Sequence, residues 1–147
     1  MKMDRLNLLT LGVKDIVGSL KFYRDGLGFD VSIIGDEEQP GVIFFKNKGT
    51  KISLFPVEEL ILDIASEEEL TAPTGFTGVT LAYNGKSKAE VDEVMEQAVA
   101  AGAEMIKAPQ ATSWGGYGGY FKELNGFYWE VAYGPDWEFD ENDMLIV

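Results

Sequence analysis

Residues 6–29 read LNLLTLGVKDIVGSLKFYRDGLGF, and the change of period inside this stretch decides the fold. The first part, LNLLTLGV, is apolar and rich in strand formers. Asp15 then stands where a carboxylate can cap a helix, and Ile16, Leu20, Phe22, Tyr23 and Leu27 supply that helix with an apolar face. Gly26 and Gly28 end it. A strand over 29–34 follows, and strands over 42–45 and 51–55 flank Asn47-Lys48-Gly49 as a hairpin. The order is βαβββ, closed by a short helix over 57–65 that carries Leu60, Ile61 and Ile64.

After an acidic, Pro- and Gly-containing link over 66–76, the same order returns. GVTLAY at 78–83 is a strand, and 87–101 is a helix with Val91, Val94, Met95 and Val99 on one stripe. Ser87 with Glu90 three residues later is a capping-box candidate. Strands over 104–108, 119–122 and 127–133 follow, the last two joined at Asn125-Gly126. LLTLGV at 8–13 matches GVTLAY at 78–83, and both second hairpins carry Phe-Lys before the turn, so the repeat is one of residues as well as order. The expected architecture is α+β: paired βαβββ modules over 5–65 and 77–135 that form an open, cup-shaped mixed β-sheet with helices on the outside. The tail, 136–147, is acidic and then apolar; Trp137, Phe139, Met144, Leu145 and Ile146 can dock on the body, dock on a partner or fray.

Composition narrows the chemistry. The 147 residues include no histidine and no cysteine, which removes the commonest metal ligands, thiol nucleophiles and neutral-pH proton shuttles. Twelve basic against 25 acidic residues give a net charge of −13, which opposes binding to nucleic acid and to anionic membranes. No apolar run is long enough to span a bilayer, and the charged N-terminus lacks a signal-peptide core, so a cytoplasmic protein is expected. The acidic groups 36–38 and 67–69 read as solvated loops.

The stretch most suggestive of a site is 114–135, WGGYGGYFKELNGFYWEVAYGP. In its last strand, alternation puts Tyr128, Glu130 and Ala132 on one face. A carboxylate there can accept hydrogen bonds from a ligand, pair with a cation, or serve as a base; it can equally be bonded to a nearby Tyr, Ser or backbone N–H with no ligand involved. Trp114, Tyr117 and Tyr120 offer flat faces for a planar or cationic ligand, against a core-packing role that suits Tyr120 best. Gly115, Gly116, Gly118 and Gly119 fit a close backbone approach, a mobile lid or a bulge. They form no phosphate loop, because no helix or Lys-Ser/Thr pair follows.

The set Leu11, Val13, Asp15, Ser19, Phe22, Tyr23, Leu27, Gly28 and Phe29, together with Gly126 and the closing WEVAYGP, resembles the vicinal oxygen chelate superfamily of glyoxalases, bleomycin-resistance proteins and extradiol dioxygenases. The WGGY run is similar to that of a glyoxalase-like branch. Metal-dependent members take ligands from four positions, and the resemblance places these on Leu8, Ser53, Gly78 and Glu130. Only Glu130 carries a strong ligand, so no metal and no cofactor is expected. The resemblance also implies that Thr10, Ser53, Phe55 and Thr80 share an inner face with Glu130, and that the protein is a homodimer. The resulting expectation is a small-molecule binding protein for a hydrophobic or cationic ligand. Its competitor is an enzyme with displaced metal ligands or a metal-free Glu/Tyr acid–base pair.

Overall fold

The computed structural model describes residues 1–66 and 68–147. It divides into two compact units, Met1–Thr74 and Gly75–Val147, each built on one open four-stranded sheet. Glu67, in the expected acidic loop, lies outside the described residues; Glu68 and Glu69 are exposed.

In the first unit the strands are β1 (Leu8–Val13), β2 (Val31–Gly35), β3 (Pro40–Phe45) and β4 (Lys51–Pro56), in spatial order β1-β4-β3-β2. β1 runs parallel to β4 and the other pairs are antiparallel. Asp15 caps the helix as its position predicts, accepting from the Gly18 N–H at 3.0 Å. The helix itself departs from the expected single α-helix. α1 spans only Ile16–Leu20 and passes into a π-helical stretch, Lys21–Gly26, with the Leu27 N–H bonded to the Phe22 carbonyl at 2.9 Å. Phe22 and Tyr23 are both buried in this stretch. Tyr23 meets Phe45 at 5.1 Å and Phe29 at 6.0 Å between ring centroids, so Phe29 packs against the core rings just before β2 rather than inside it. Leu11, Val13, Ile43 and Leu54 form the core on one face of the sheet with Phe22, Tyr23 and Phe45, and half-buried Phe29 borders it. α2 (Val57–Ile64) lies at the end of β1, where a Cβ added to Gly12 would sit 3.1 Å from Val57 Cγ2.

The second unit repeats the plan with β5 (Thr80–Gly85), α3 (Lys88–Ala100), β6 (Glu104–Ala111), β7 (Tyr117–Lys122) and β8 (Tyr128–Tyr133), in spatial order β5-β8-β7-β6. Ser87 caps α3 through the Glu90 N–H at 3.0 Å. The Glu90 carboxylate closes the other half of the cap one residue early, on the Lys86 N–H, and also accepts from the Tyr83 hydroxyl at 2.6 Å. Val91, Met95 and Ala98 of α3 are buried with Leu81, Phe121, Trp129 and Val131. β6 and β7 are longer than the sequence suggests, because part of the glycine run pairs as strand.

The tail docks on its own unit. Phe139 bridges Leu145, Lys86 pairs with Asp143 at 2.5 Å and stands over the Phe139 ring, and Trp137 stacks on Trp114 with centroids 5.4 Å apart and planes 13° from parallel. No helix among the described residues is long and apolar enough to cross a membrane.

Candidate functional site

Register assigns each expected site residue to a face. Side chains directly opposed across paired strands share a face, so the pairs Thr80↔Tyr128, Ala82↔Glu130 and Tyr120↔Glu130 put Thr80, Tyr128, Glu130 and Tyr120 together. The opposite face carries Leu81, Phe121, Trp129 and Val131 and packs on α3. The four grouped residues therefore stand on the face turned away from the helix. Tyr120 donates its hydroxyl to Glu130 Oε2 at 2.9 Å, and both side chains are half-buried. The hydrogen bond to this carboxylate, with some desolvation, raises the Tyr120 phenol above the usual tyrosine value, so it keeps its proton at neutral pH and acts as a donor. Glu130 Oε1 has no hydrogen-bond partner among the described residues. Tyr128 borders the pair and meets the exposed Phe76 edge-to-face at 5.4 Å.

Tyr117 does not join this group. It lies an odd number of residues from Tyr120 on one strand, and its hydroxyl reaches Asp92 Oδ1 of α3 at 2.7 Å on the helix side. Trp114 stands beyond the strand end, half exposed and stacked on Trp137. Packing accounts for Gly116, where the Trp114 ring fills the space, and for Gly119, which admits the β6 backbone, whereas Gly115 stands in open space at φ 91°. The first unit holds Thr10, Ser53 and Phe55. Thr10 and Ser53 are direct partners with their hydroxyls 2.7 Å apart, Ser53 is buried, and Phe55 faces Gly12.

Sequence reading passed over Lys107 and Lys122, which the register brings to the Tyr120 face. Lys122 is paired with Glu104 at 3.1 Å. The signal for Lys122 was its even spacing from Tyr120, whereas Lys107 is placed by two irregularities in β6 that no sequence period shows. Glu123 follows β7 and opens the Asn125-Gly126 turn. It is buried at 3% exposure, and its carboxylate accepts from the Asn125 and Phe127 N–H groups and from Asn125 Nδ2. It holds the hairpin turn together.

The residues present do not suit the metal of the metal-dependent relatives. Leu8 offers no side-chain donor, and the register makes its counterpart in the second unit Thr80, a neutral hydroxyl, rather than the expected Gly78, which lies before β5; the Ser53 hydroxyl is committed to Thr10, and Glu130 is bonded to Tyr120. Among the described residues no three His, Cys, Asp or Glu side chains come together as a candidate metal cluster.

Paired βαβββ units of this strand order, with one carboxylate at the last-strand position, define a class. The family model for the glyoxalase/bleomycin resistance protein/dioxygenase superfamily matches residues 5–131, and the chain belongs to that superfamily. Its structure is similar to that of a glyoxalase-related enzyme from Fulvimarina pelagi, with 26% identity, TM-score 0.85 and coverage of 99% of both chains. It is also similar to a glyoxalase/bleomycin resistance protein/dioxygenase from Nocardioides, with 26% identity, TM-score 0.74 and coverage of 92% of this chain and 87% of that one. A lactoylglutathione lyase from Agrobacterium tumefaciens shares the fold at 20% identity and TM-score 0.66, over 95% of this chain and 100% of that one. No curated protein matches the chain.

Proposed function

We propose that this protein binds a small organic molecule without a metal, taking a hydrophobic or cationic ligand on the open face of the second sheet. The observation that carries this reading is the bond from Tyr120 to Glu130 at 2.9 Å on that face. The phenol occupies one carboxylate oxygen and fixes the group's orientation, which leaves Oε1 to accept from an ammonium or amide donor. Tyr128 and Phe76 supply aromatic surface beside it, and Thr80 a hydroxyl. The net charge of −13 favours approach of a cation. The superfamily spans bleomycin resistance proteins as well as glyoxalases and dioxygenases, so binding without turnover falls within its range. In this proposal the protein works in the cytoplasm as a homodimer, which sedimentation would show as twice the 16.2 kDa chain mass.

The test is native mass spectrometry with thermal-shift titration of divalent metals, aliphatic amines and aromatic cations. Stabilisation by an organic cation in metal-free protein is expected. Glu130→Gln should then weaken that cation about fivefold to tenfold while the protein stays folded, as loss of a partly solvated ion pair would. Equal affinity of Glu130→Gln and wild type would make the carboxylate incidental, and stoichiometric retention of a metal would put the metalloenzyme reading first.

The same pair supports a second reading, a metal-free acid–base catalyst in which Glu130 takes a proton and Tyr120 donates a hydrogen bond. It predicts conversion of a bound compound that both Glu130→Gln and Tyr120→Phe abolish.

A further inference from the structure

Across the open face of the second sheet, one row runs Ala82, Glu130, Tyr120, Lys107, each residue directly opposite the next on the neighbouring strand. The row therefore sets a carboxylate and an ammonium on either side of a phenol, with about 10 Å between the outer backbones, two strand spacings. The neighbouring row, Thr80, Tyr128, Lys122, Glu104, also contains a lysine, but that lysine is neutralised by Glu104 at 3.1 Å. Lys107 is exposed and has no ion-pair partner among the described residues, in a chain with 25 acidic and 12 basic side chains.

The backbone holds Lys107 in this place. Irregularities on both sides of it, between Met105 and Lys107 and between Lys107 and Gln110, restore the register opposite Tyr120. Bulges of this kind re-aim side chains and recur beside functional sites. Gly119 makes the arrangement possible, because a Cβ there would collide with the Lys107 carbonyl oxygen and lie 3.0 Å from Pro109 N.

We infer that this face recognises a bipolar ligand, with a cationic group on Glu130 and an anionic group on Lys107, joined by an apolar spacer that lies across Tyr120. The inference rests on the reading of Glu130 as the cation acceptor and adds the second charge. Both charges are partly solvated, so each contributes modestly and the pair contributes mostly selectivity. A single amine would leave the Lys107 ammonium unmatched, and a simple carboxylate would meet the Glu130 charge.

The experiment is isothermal titration of the full chain with hexylamine, hexanoate and 6-aminohexanoate at low ionic strength. Wild type should bind 6-aminohexanoate about fivefold more tightly than hexylamine, the size of one exposed ion pair, with hexanoate weakest. Lys107→Gln should bring the first two affinities together, and Lys107→Glu should reverse their order. Added salt should shrink the preference, because both charges are screened. Equal binding of hexylamine and 6-aminohexanoate by wild type, or a preference that survives both substitutions, overturns the second charge and leaves Lys107 as a guard of the exposed β6 edge. Absence of hexylamine binding, or hexylamine binding that Glu130→Gln does not weaken, overturns the reading of Glu130 and this inference with it.

Discussion

The first module places Ser53 third in β4, opposite Thr10 of β1 and Phe44 of β3; the second places Glu130 third in β8, opposite Ala82 of β5 and Tyr120 of β7. Strand order, parallel first pair and register are the same in the two units, yet one position holds a neutral hydroxyl pair and the other a carboxylate with its phenol. Main-chain hydrogen bonds need only the pleat and its alternation, so they preserve register whichever residue occupies this position. The modules also end differently. After β4 the chain forms α2 against Gly12, whereas after β8 it forms a short hairpin that stacks Trp137 on Trp114. A common backbone has thus been kept while one open face acquired charge and an aromatic border.

The helix-facing positions give the largest expected effect. Register makes Ile43 of β3, opposite Leu54, the counterpart of Gly119 of β7, opposite Val131. Ile43 is fully buried, while Gly119 leaves room for the β6 backbone. Ile43→Ala should cost about 3 kcal/mol by opening a cavity. Gly119→Ala should cost about 3 kcal/mol for the opposite reason, since its neighbour is backbone and cannot swing away. Gly75→Ala, with nothing within 4 Å of the added carbon, is the control and should be near neutral. Urea unfolding of the three variants checks this. A Gly119→Ala protein as stable as wild type would mean that β6 yields, and the two positions would then be equivalent after all.

The repeated order was legible because each element announced its period: LLTLGV and GVTLAY as strands, Asp15 and Ser87 as caps, Asn125-Gly126 as a turn; the alignment of the two strands was two residues off, since β5 begins at Thr80 and the register equates Leu8 with Thr80 rather than Gly78. The π-helical stretch was not, since nothing in a 3.6-residue pattern signals a wider turn. Face assignment in the glycine run failed for a different reason. Treating it as a loop left Tyr117 and Tyr120 free to converge, and once it is strand their odd spacing sends Tyr117 to Asp92. Glu130 was legible from alternation within one strand. Lys107 and the Trp114–Trp137 stack depend on bulges and on contact between distant segments, which local pattern does not encode.

An intermediate effect should come from the different endings. Trp137→Ala removes the stack on Trp114 and the indole that covers Gly134, and should cost about 1.5 kcal/mol. The exposed Lys86–Asp143 pair at the far side of the same hairpin should matter less, with Lys86→Ala costing about 0.5 kcal/mol. Denaturation gives both values, and the emission of Trp114 should move to the red only in the first variant. If both variants behave alike, the tail is held by its charges rather than by the indole pair, and the aromatic border is no fixed part of the second module.

The smallest effect distinguishes the Thr10–Ser53 and Tyr120–Glu130 pairs directly. Tyr120 is raised above its ordinary value by its bond to Glu130, and Tyr83, through desolvation and its bond to Glu90, is pushed up to about 12. A folded-state value above the unfolded one means that folding favours the protonated phenol. This contribution is fully present below the unfolded value of about 10 and is lost as pH rises through the raised folded value. Stability should therefore decline on the alkaline side, with the second unit responsible for the Tyr83 and Tyr120 share. Glu130→Gln removes the carboxylate charge that holds the Tyr120 proton, so one of the six tyrosines should form phenolate at lower pH in an absorbance titration of the folded protein. Ser53→Ala should leave that curve where it is, because the Thr10–Ser53 hydroxyls have no proton to release in this range. An unchanged curve in Glu130→Gln would show that the phenol is not held by the carboxylate in solution, and the charge difference between the two modules would then reside in Glu130 alone.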